Sequence, residues 1–283
     1  MESTVAVVLL ILVWVSVFCD GTVIVSKDGS GDYRTVGEAI TEAPDLSEKP
    51  YTIHVRADIR GEGFMAENMG FANWAGLNAS GAVAVRNEGK KTIFFRCSIE
   101  GLQDTLWAVS GGQFYKDSDI YGTVDFIYGN AAAVFQDCTL YARYRPYVTF
   151  TAQSREDPND NTGFTFQRCN FTISPQDSDR KSEVRATLGR PLRPYSRVAI
   201  FHSYIDSFVD PKGWEPMPHQ PTDKATYIEF LNLGPGSHTD GRVQWPGVTR
   251  LLHPAQALPF TASYLLDADS WIPSTGVPYD NTL

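Results

Sequence analysis

The hydrophobic pattern begins with a run that carries no charge, Val5 to Phe18, VAVVLLILVWVSVF. Its fourteen residues fall short of the roughly 20 that span a bilayer. They match the apolar core of a secretory signal, so residues 1–20 are expected to be a signal peptide cleaved near Cys19 to Gly21. The preceding Met1-Glu2-Ser3-Thr4 lacks the usual Lys or Arg, which keeps an uncleaved anchor and a buried strand as alternatives. Further on, Tyr33 to Ala43 places Val36, Ala39, Ile40 and Ala43 on one helical face, and Pro44 ends the segment. From Thr92 onward the text changes to short β-type runs.

Those runs repeat. Cys97, Ser118, Cys138, Cys169 and Ser203 each stand just before an alternating polar/apolar stretch, at spacings of 21, 20, 31 and 34 residues. A period near twenty with longer excursions marks a solenoid. Rungs built of short strands imply a parallel β-helix, with the longer gaps as loops pushed out of one turn. An irregular β-sandwich with evenly spaced strands is the alternative. No Pro/Gly/Ser linker divides residues 21–283, so a single domain is expected there.

Composition narrows the function. Hydrophobic residues make up 42% and charged residues 20%, enough for a sizeable core. The net charge of −9 disfavours nucleic acid as a partner, because phosphate binding needs a basic face. The five His and four Cys form no zinc motif. Signal cleavage would leave Cys97, Cys138 and Cys169, an odd number that suggests one disulfide and one spare thiol. The sequons at Asn78 and Asn170 agree with secretion.

Three motifs could carry chemistry. Gly61-Glu62-Gly63-Phe64-Met65-Ala66 has the form G-x-G-x-x-A, but no βαβ unit surrounds it and a tight turn is the better reading. Asp104 and Asp125 lie twenty-one residues apart, one rung in a solenoid of that period, which would make them neighbours on one face. Paired carboxylates push their pKa values apart, so one can serve as acid and the other as base or nucleophile. Both capping turns instead is the plainer alternative. Arg190, held between Gly189 and Pro191, could grip a carboxylate bidentately. No G-x-S-x-G elbow occurs, which disfavours a serine esterase of the α/β-hydrolase type.

At these residues the chain resembles the plant pectin methylesterase (pectinesterase) family. The matching text is KDGSGDY (Lys27 to Tyr33), GFMAENMGFANWAG (Gly63 to Gly76), QDTLW (Gln103 to Trp107) and QFYKDSDIYGTVDFIYGNAAAVFQ (Gln113 to Gln136). It continues through TAQSREDPNDNTG (Thr151 to Gly163), LGRP (Leu188 to Pro191), GPGS (Gly234 to Ser237), GRVQWPG (Gly241 to Gly247) and SWIPSTGVPY (Ser270 to Tyr279). The resemblance implies an all-β, right-handed, single-stranded parallel β-helix with a short N-terminal helix. It implies hydrolysis of galacturonate methyl esters in pectin, in the extracellular cell wall, without metal or organic cofactor. Asp125 would be the nucleophile, Asp104 the general acid, Gln103 an oxyanion donor, and Arg190 the residue that orients Asp125. Trp107, Phe126, Tyr128 and Leu192 would line the substrate. Cys138 and Cys169 would form a disulfide, leaving Cys97 free and buried. A monomer is expected, free of the membrane once the signal is cleaved, with methylesterified pectin as substrate and a proteinaceous inhibitor as a partner.

The chain departs from the family pattern in four places. Gly81 stands where a second Gln donor is expected, and Leu192 where a sugar-stacking Trp is expected. A Cys that would pair with Cys97 is replaced near Gly70. About two rungs are missing around residues 56–61, where Ala57-Asp58-Ile59-Arg60 joins the two sides directly. These departures raise a catalytically impaired wall protein as an alternative. A β-helix glycosidase or lyase acting on the same polymer is a third reading.

Overall fold

The computed structural model describes residues 22–25, 32–34, 38, 42, 52–55, 57–73, 83–250 and 253–282. The signal segment, most of the Tyr33 to Ala43 helix, Asn78 and Gly81 lie outside them. Three parallel sheets form the body, and in each the spatial order of strands follows the chain. The first sheet has eight strands: Met65–Glu67, Thr92–Phe95, Gly112–Lys116, Ala132–Gln136, Gly163–Gln167, Arg197–Phe201, Thr226–Phe230 and Val248–Arg250. The second has six: Gly70–Ala72, Ser98–Glu100, Asp119–Gly122, Thr139–Ala142, Asn170–Ile173 and Tyr204–Ile205. The third also has six: Ala57–Ile59, Val85–Asn87, Leu106–Ala108, Ile127–Gly129, Tyr147–Gln153 and Arg185–Gly189. The chain visits first, second and third sheet in turn and then starts again. That is a parallel β-helix, as the repeat implies.

The small-residue column has a physical cause. Passing from the first sheet to the second requires a sharp corner, and one residue there takes the left-handed conformation: Arg96 at φ 53°, Asp117 at 48°, Asp137 at 55°, Arg168 at 54° and His202 at 50°. The next residue points inward and ties up the carbonyls that the corner leaves free. Ser118 Oγ donates to Lys116 O at 2.9 Å and accepts from Cys97 N at 3.0 Å. Ser203 does the same with Phe201 O at 2.9 Å and Cys169 N at 3.0 Å. Only a small donor fits inside the corner, so every rung of the column carries Ser or Cys there.

This arrangement corrects the expected disulfide. Cys97, Cys138 and Cys169 are all free and buried. The Thr139–Asn170 pairing sets Cys138 and Cys169 on successive rungs with their side chains hydrogen-bonded to each other, yet the two are unbridged and each thiol also reaches backbone carbonyls. Cys138 Sγ donates to Gln136 O at 3.4 Å, and Cys169 Sγ to Phe135 O at 3.4 Å. Unbridged, they fill the place that a hydroxyl fills on the Ser118 and Ser203 rungs.

Stacked side chains fill the interior. Phe94, Tyr115, Phe135 and Phe166 form a column with ring centroids 5.0, 4.5 and 4.6 Å apart and planes within 13°. In-register parallel pairing places like positions over one another, so a repeated aromatic becomes a continuous stack. The outer face of the first sheet is also apolar, through Ile93, Phe114 and Val134. It is covered by the C-terminal segment, whose short helix Ala262–Leu266 contributes Leu265 and Leu266, followed by Trp271 and Ile272. Gln136 fastens that segment from both amide atoms, donating to Asp280 O at 2.6 Å and accepting from Asp280 N at 2.9 Å.

Gly61 to Ala66 is a turn leading into the Met65–Glu67 strand, with Gly63 at φ 73°. The turn reading holds, and no dinucleotide fingerprint is formed.

Candidate active site

The third sheet carries the candidate residues. Leu106 pairs with Ile127 and Trp107 with Tyr128, so Asp104 and Asp125 occupy the same position on successive rungs. Both enter their strands through left-handed backbone, at φ 60° and 52°. Asp tolerates that region better than most residues, and such strain persists only where the surroundings hold it. Here the Asp104 N–H donates to Val124 O at 3.1 Å.

Asp125 is only 8% exposed. Arg190 grips it bidentately, with Nε to Oδ1 at 2.8 Å and Nη2 to Oδ2 at 2.7 Å. The Arg190 position is set by close backbone approach. Its N–H donates to Thr151 O at 3.0 Å, and a Cβ on the preceding Gly189 would come within 2.0 Å of Thr151 Oγ1. Between Tyr128 and the arginine in this column stands Ala152. Its methyl group leaves clear the path by which the guanidinium reaches back to Asp125.

The two carboxyls differ in environment. Burial raises the Asp104 carboxyl to about 6, the nearby Asp125 charge adds to this, and Arg190 opposes it. No described residue hydrogen-bonds its side chain, so it is free to exchange a proton. Burial also raises Asp125 above the usual carboxylate value, while the Arg190 fork stabilises its ionised form. One carboxyl is thus gripped by an arginine and the other, unpaired, is raised toward neutrality, a separation that would let two carboxyls take different parts in acid–base chemistry.

Trp107 and Tyr128 stack face to face, centroids 5.5 Å apart and planes at 14°. The Arg86 guanidinium lies 4.8 Å from the Trp107 ring centre, and its other side is tied to Asp58 at 3.0 Å. Both rings are half-buried, leaving flat apolar surface beside the carboxyls. Gln103 is half-buried next to Asp104, and its carboxamide is engaged by no described residue. On the other side a cleft of about 540 Å³ continues along the third sheet, lined among others by Tyr147, Trp214, Glu215 and Trp245.

A family model described as Pectinesterase matches residues 57–269. The chain belongs to the pectinesterase family. It is 37% identical to Probable pectinesterase/pectinesterase inhibitor 46 of Arabidopsis thaliana, over 92% of this chain and 54% of that one. It is 35% identical to Pectinesterase 2 of Citrus sinensis, over 92% of this chain and 60% of that one. The chain thus spans about half to three fifths of the length of these pectinesterase relatives. The first alignment runs over 311 positions, more than the 283 of the whole chain, so the relative carries residues that are missing here. Among solved structures, pectin methylesterase from carrot superposes with a TM-score of 0.77 at 32% identity, covering 94% of this chain and 99% of that one. The fold shared with it is the right-handed parallel β-helix.

Within the family frame, the structure brings Asp104, Trp107, Asp125, Tyr128 and Arg190 to one face, with Gln103 next to Asp104 in the chain. Leu192, half-buried, lies just past the arginine, its N–H on Gln153 O at 3.1 Å. Phe126 is corrected. It is fully buried and packs on Phe150 with centroids 5.3 Å apart, because the left-handed turn at Asp125, just ahead of the Ile127–Gly129 strand, sends the next side chain into the interior beside Ile127. It supports Asp125 from beneath and cannot touch a substrate. Sequence reading also missed Thr149 and Glu215. Thr149 sits one rung beyond Asp125 and donates to Glu215 Oε1 at 2.7 Å. The long excursions after Cys138 hide that register, and an isolated Glu in a loop gives no signal.

Proposed function

We propose that this pectinesterase-family chain hydrolyses galacturonate methyl esters in pectin, releasing methanol and demethylated polymer in the extracellular cell wall. The carrying observation is the Asp125–Arg190 fork at 2.7–2.8 Å beside an unpaired Asp104 raised to about 6. Ionised Asp125 attacks the ester carbonyl carbon and forms a tetrahedral oxyanion, to which Gln103 is free to donate. Protonated Asp104 gives its proton to the departing methoxide, which leaves as methanol, and an acyl-enzyme anhydride remains. The Asp104 carboxylate then takes a proton from water, the hydroxide attacks the acyl carbon, and Asp125 leaves as carboxylate. Trp107 and Tyr128 offer flat faces to the sugar rings.

The names of the Arabidopsis relatives, which couple pectinesterase with pectinesterase inhibitor, support a proteinaceous inhibitor as a partner. Exposure of Asn170 supports glycosylation in a secreted chain. Nothing among the described residues favours an impaired catalyst. The test is incubation of the purified protein with methylated pectin. Methanol release is expected; new reducing ends would instead indicate a glycosidase, unsaturated uronate a lyase, and silence a protein without this activity.

A further inference from the structure

Arg190 spends only one edge on Asp125. Its Nε and Nη2 hold the carboxylate at 2.8 and 2.7 Å, which leaves Nη1 facing away. That atom lies 3.9 Å from Glu215 Oε1. The same Oε1 accepts from Thr149 Oγ1 at 2.7 Å. Glu215 is further anchored through its backbone, whose N–H donates to Gly189 O at 3.1 Å, immediately before the arginine. Its neighbour Trp214 bridges to Gly189 and is 1% exposed. The backbone of Glu215 is therefore fixed to the residue before Arg190, and its carboxylate to the residue one rung beyond Asp125.

We propose that Glu215 is a positioning residue of this site: it holds the free side of the Arg190 guanidinium and so sets the edge presented to Asp125. The proposal rests on the esterase reading above. A guanidinium paired on one edge can still pivot about that pair. An anion 3.9 Å from the far nitrogen, held in place by Thr149, restricts that freedom by charge attraction. The cost is a second negative charge near the nucleophile. The charged and titratable groups that face Asp125 are Arg190, Glu215, Asp104 on the preceding rung and the buried Tyr227 phenol. Of these, Glu215 raises the proton affinity of Asp125, and it is not among the charges acting on Asp104. Glu215 thus acts on one member of the carboxyl pair and not on the other, which gives the proposal a selective signature.

The sign follows from the roles. Asp125 must be ionised to attack, so activity falls as pH drops through its pKa. Glu215→Gln keeps an oxygen for the Thr149 hydroxyl and removes the charge. The acid limb of kcat/KM should then move to lower pH by roughly half a unit or more, while the alkaline limb set by Asp104 stays where it is. Glu215→Ala removes the carboxylate from both Thr149 and Arg190 and should lower kcat roughly tenfold with KM little changed, as expected when a reacting group is misoriented. The titration of the Asp125 carboxyl carbon, followed by NMR in parent and Glu215→Gln proteins, gives a readout independent of turnover. An acid limb and an Asp125 titration that both stay put would overturn the proposal. So would an effect confined to KM, which would make Glu215 a substrate contact of the adjoining cleft. If the parent releases no methanol the esterase reading fails, and the Asp125 titration alone still decides the role of Glu215.

Discussion

At the residue scale, the site separates two carboxyls of one type by what surrounds them. Asp125 has a bidentate arginine, and Asp104 has burial without a hydrogen-bond partner among the described residues. Asp125→Asn should lower methanol release by about 10⁴-fold or more while leaving the fold intact, because a nucleophile has no substitute; near-parent turnover would refute the assignment. Asp104 also links the chemistry to stability. Its folded-state value, raised to about 6 from 3.8, means that its ionisation works against the native state. The stabilisation it gives is fully present below pH 3.8 and is lost as pH rises through about 6. Asp104→Asn should therefore stabilise the fold at pH 7 by on the order of 1 kcal/mol after allowing for its partial exposure to solvent, seen as a higher melting temperature. The gain should vanish below about pH 4, while activity falls at every pH. Thermal unfolding of parent and variant across pH 3–8 checks both the size and the window.

At the element scale, the corner between the first and second sheets is the repeating unit. A left-handed residue turns the chain, and the small donor after it satisfies the carbonyls. If the thiols do the work of hydroxyls, Cys169→Ser should be tolerated, since Ser203 and Ser118 already fill that position on other rungs. Cys169→Val should cost about 1–3 kcal/mol by leaving buried carbonyls unpaired, measured by urea unfolding. Alkylation of the denatured chain without reductant should label Cys97, Cys138 and Cys169 alike; labelling of Cys97 alone would restore the bridge. The end of the Arg185–Gly189 strand is a second element under tight constraint. Gly189→Ala places a Cβ 2.0 Å from Thr151 Oγ1 and 2.8 Å from its carbonyl oxygen. The strands must separate, at about 1–3 kcal/mol, and Arg190 moves with them. Loss of activity should exceed loss of stability in that variant.

At the scale of the whole molecule, the solenoid is apolar on both sides of its first sheet. The inner side is the aromatic column, and Phe135→Ala there should cost about 3–5 kcal/mol by opening a cavity beneath a stacked ring. The outer side needs the C-terminal segment, which lays Leu265, Leu266, Trp271 and Ile272 over Ile93, Phe114 and Val134. Truncation after Thr261 should expose a flat apolar sheet face and lead to aggregation. Light scattering and dye binding would register it, and a monodisperse, fully active truncated protein would contradict this account.

The sequence by itself determined the rung. Period-two alternation with a small residue every twenty or so positions is local information, and it survives in the text because every turn solves the same steric problem. It also determined the Asp104–Asp125 pairing, since their spacing equals one uninterrupted rung. Trp107 and Tyr128 follow from the same count. What lies beyond a long excursion was decided only by tertiary structure. Arg190 is sixty-five residues from Asp125, and its reach back past Ala152 depends on strand register that no periodicity encodes. Thr149 and Glu215 are hidden for the same reason. Phe126 shows the limit from the other side: its place in a motif said that it mattered, but which way it faces is set by the left-handed turn at Asp125, and that turned it inward. The thiols of Cys138 and Cys169 make the same point. The sequence brought them to one column, and the direction of each side chain at the corner, toward a carbonyl, is a property of the folded backbone.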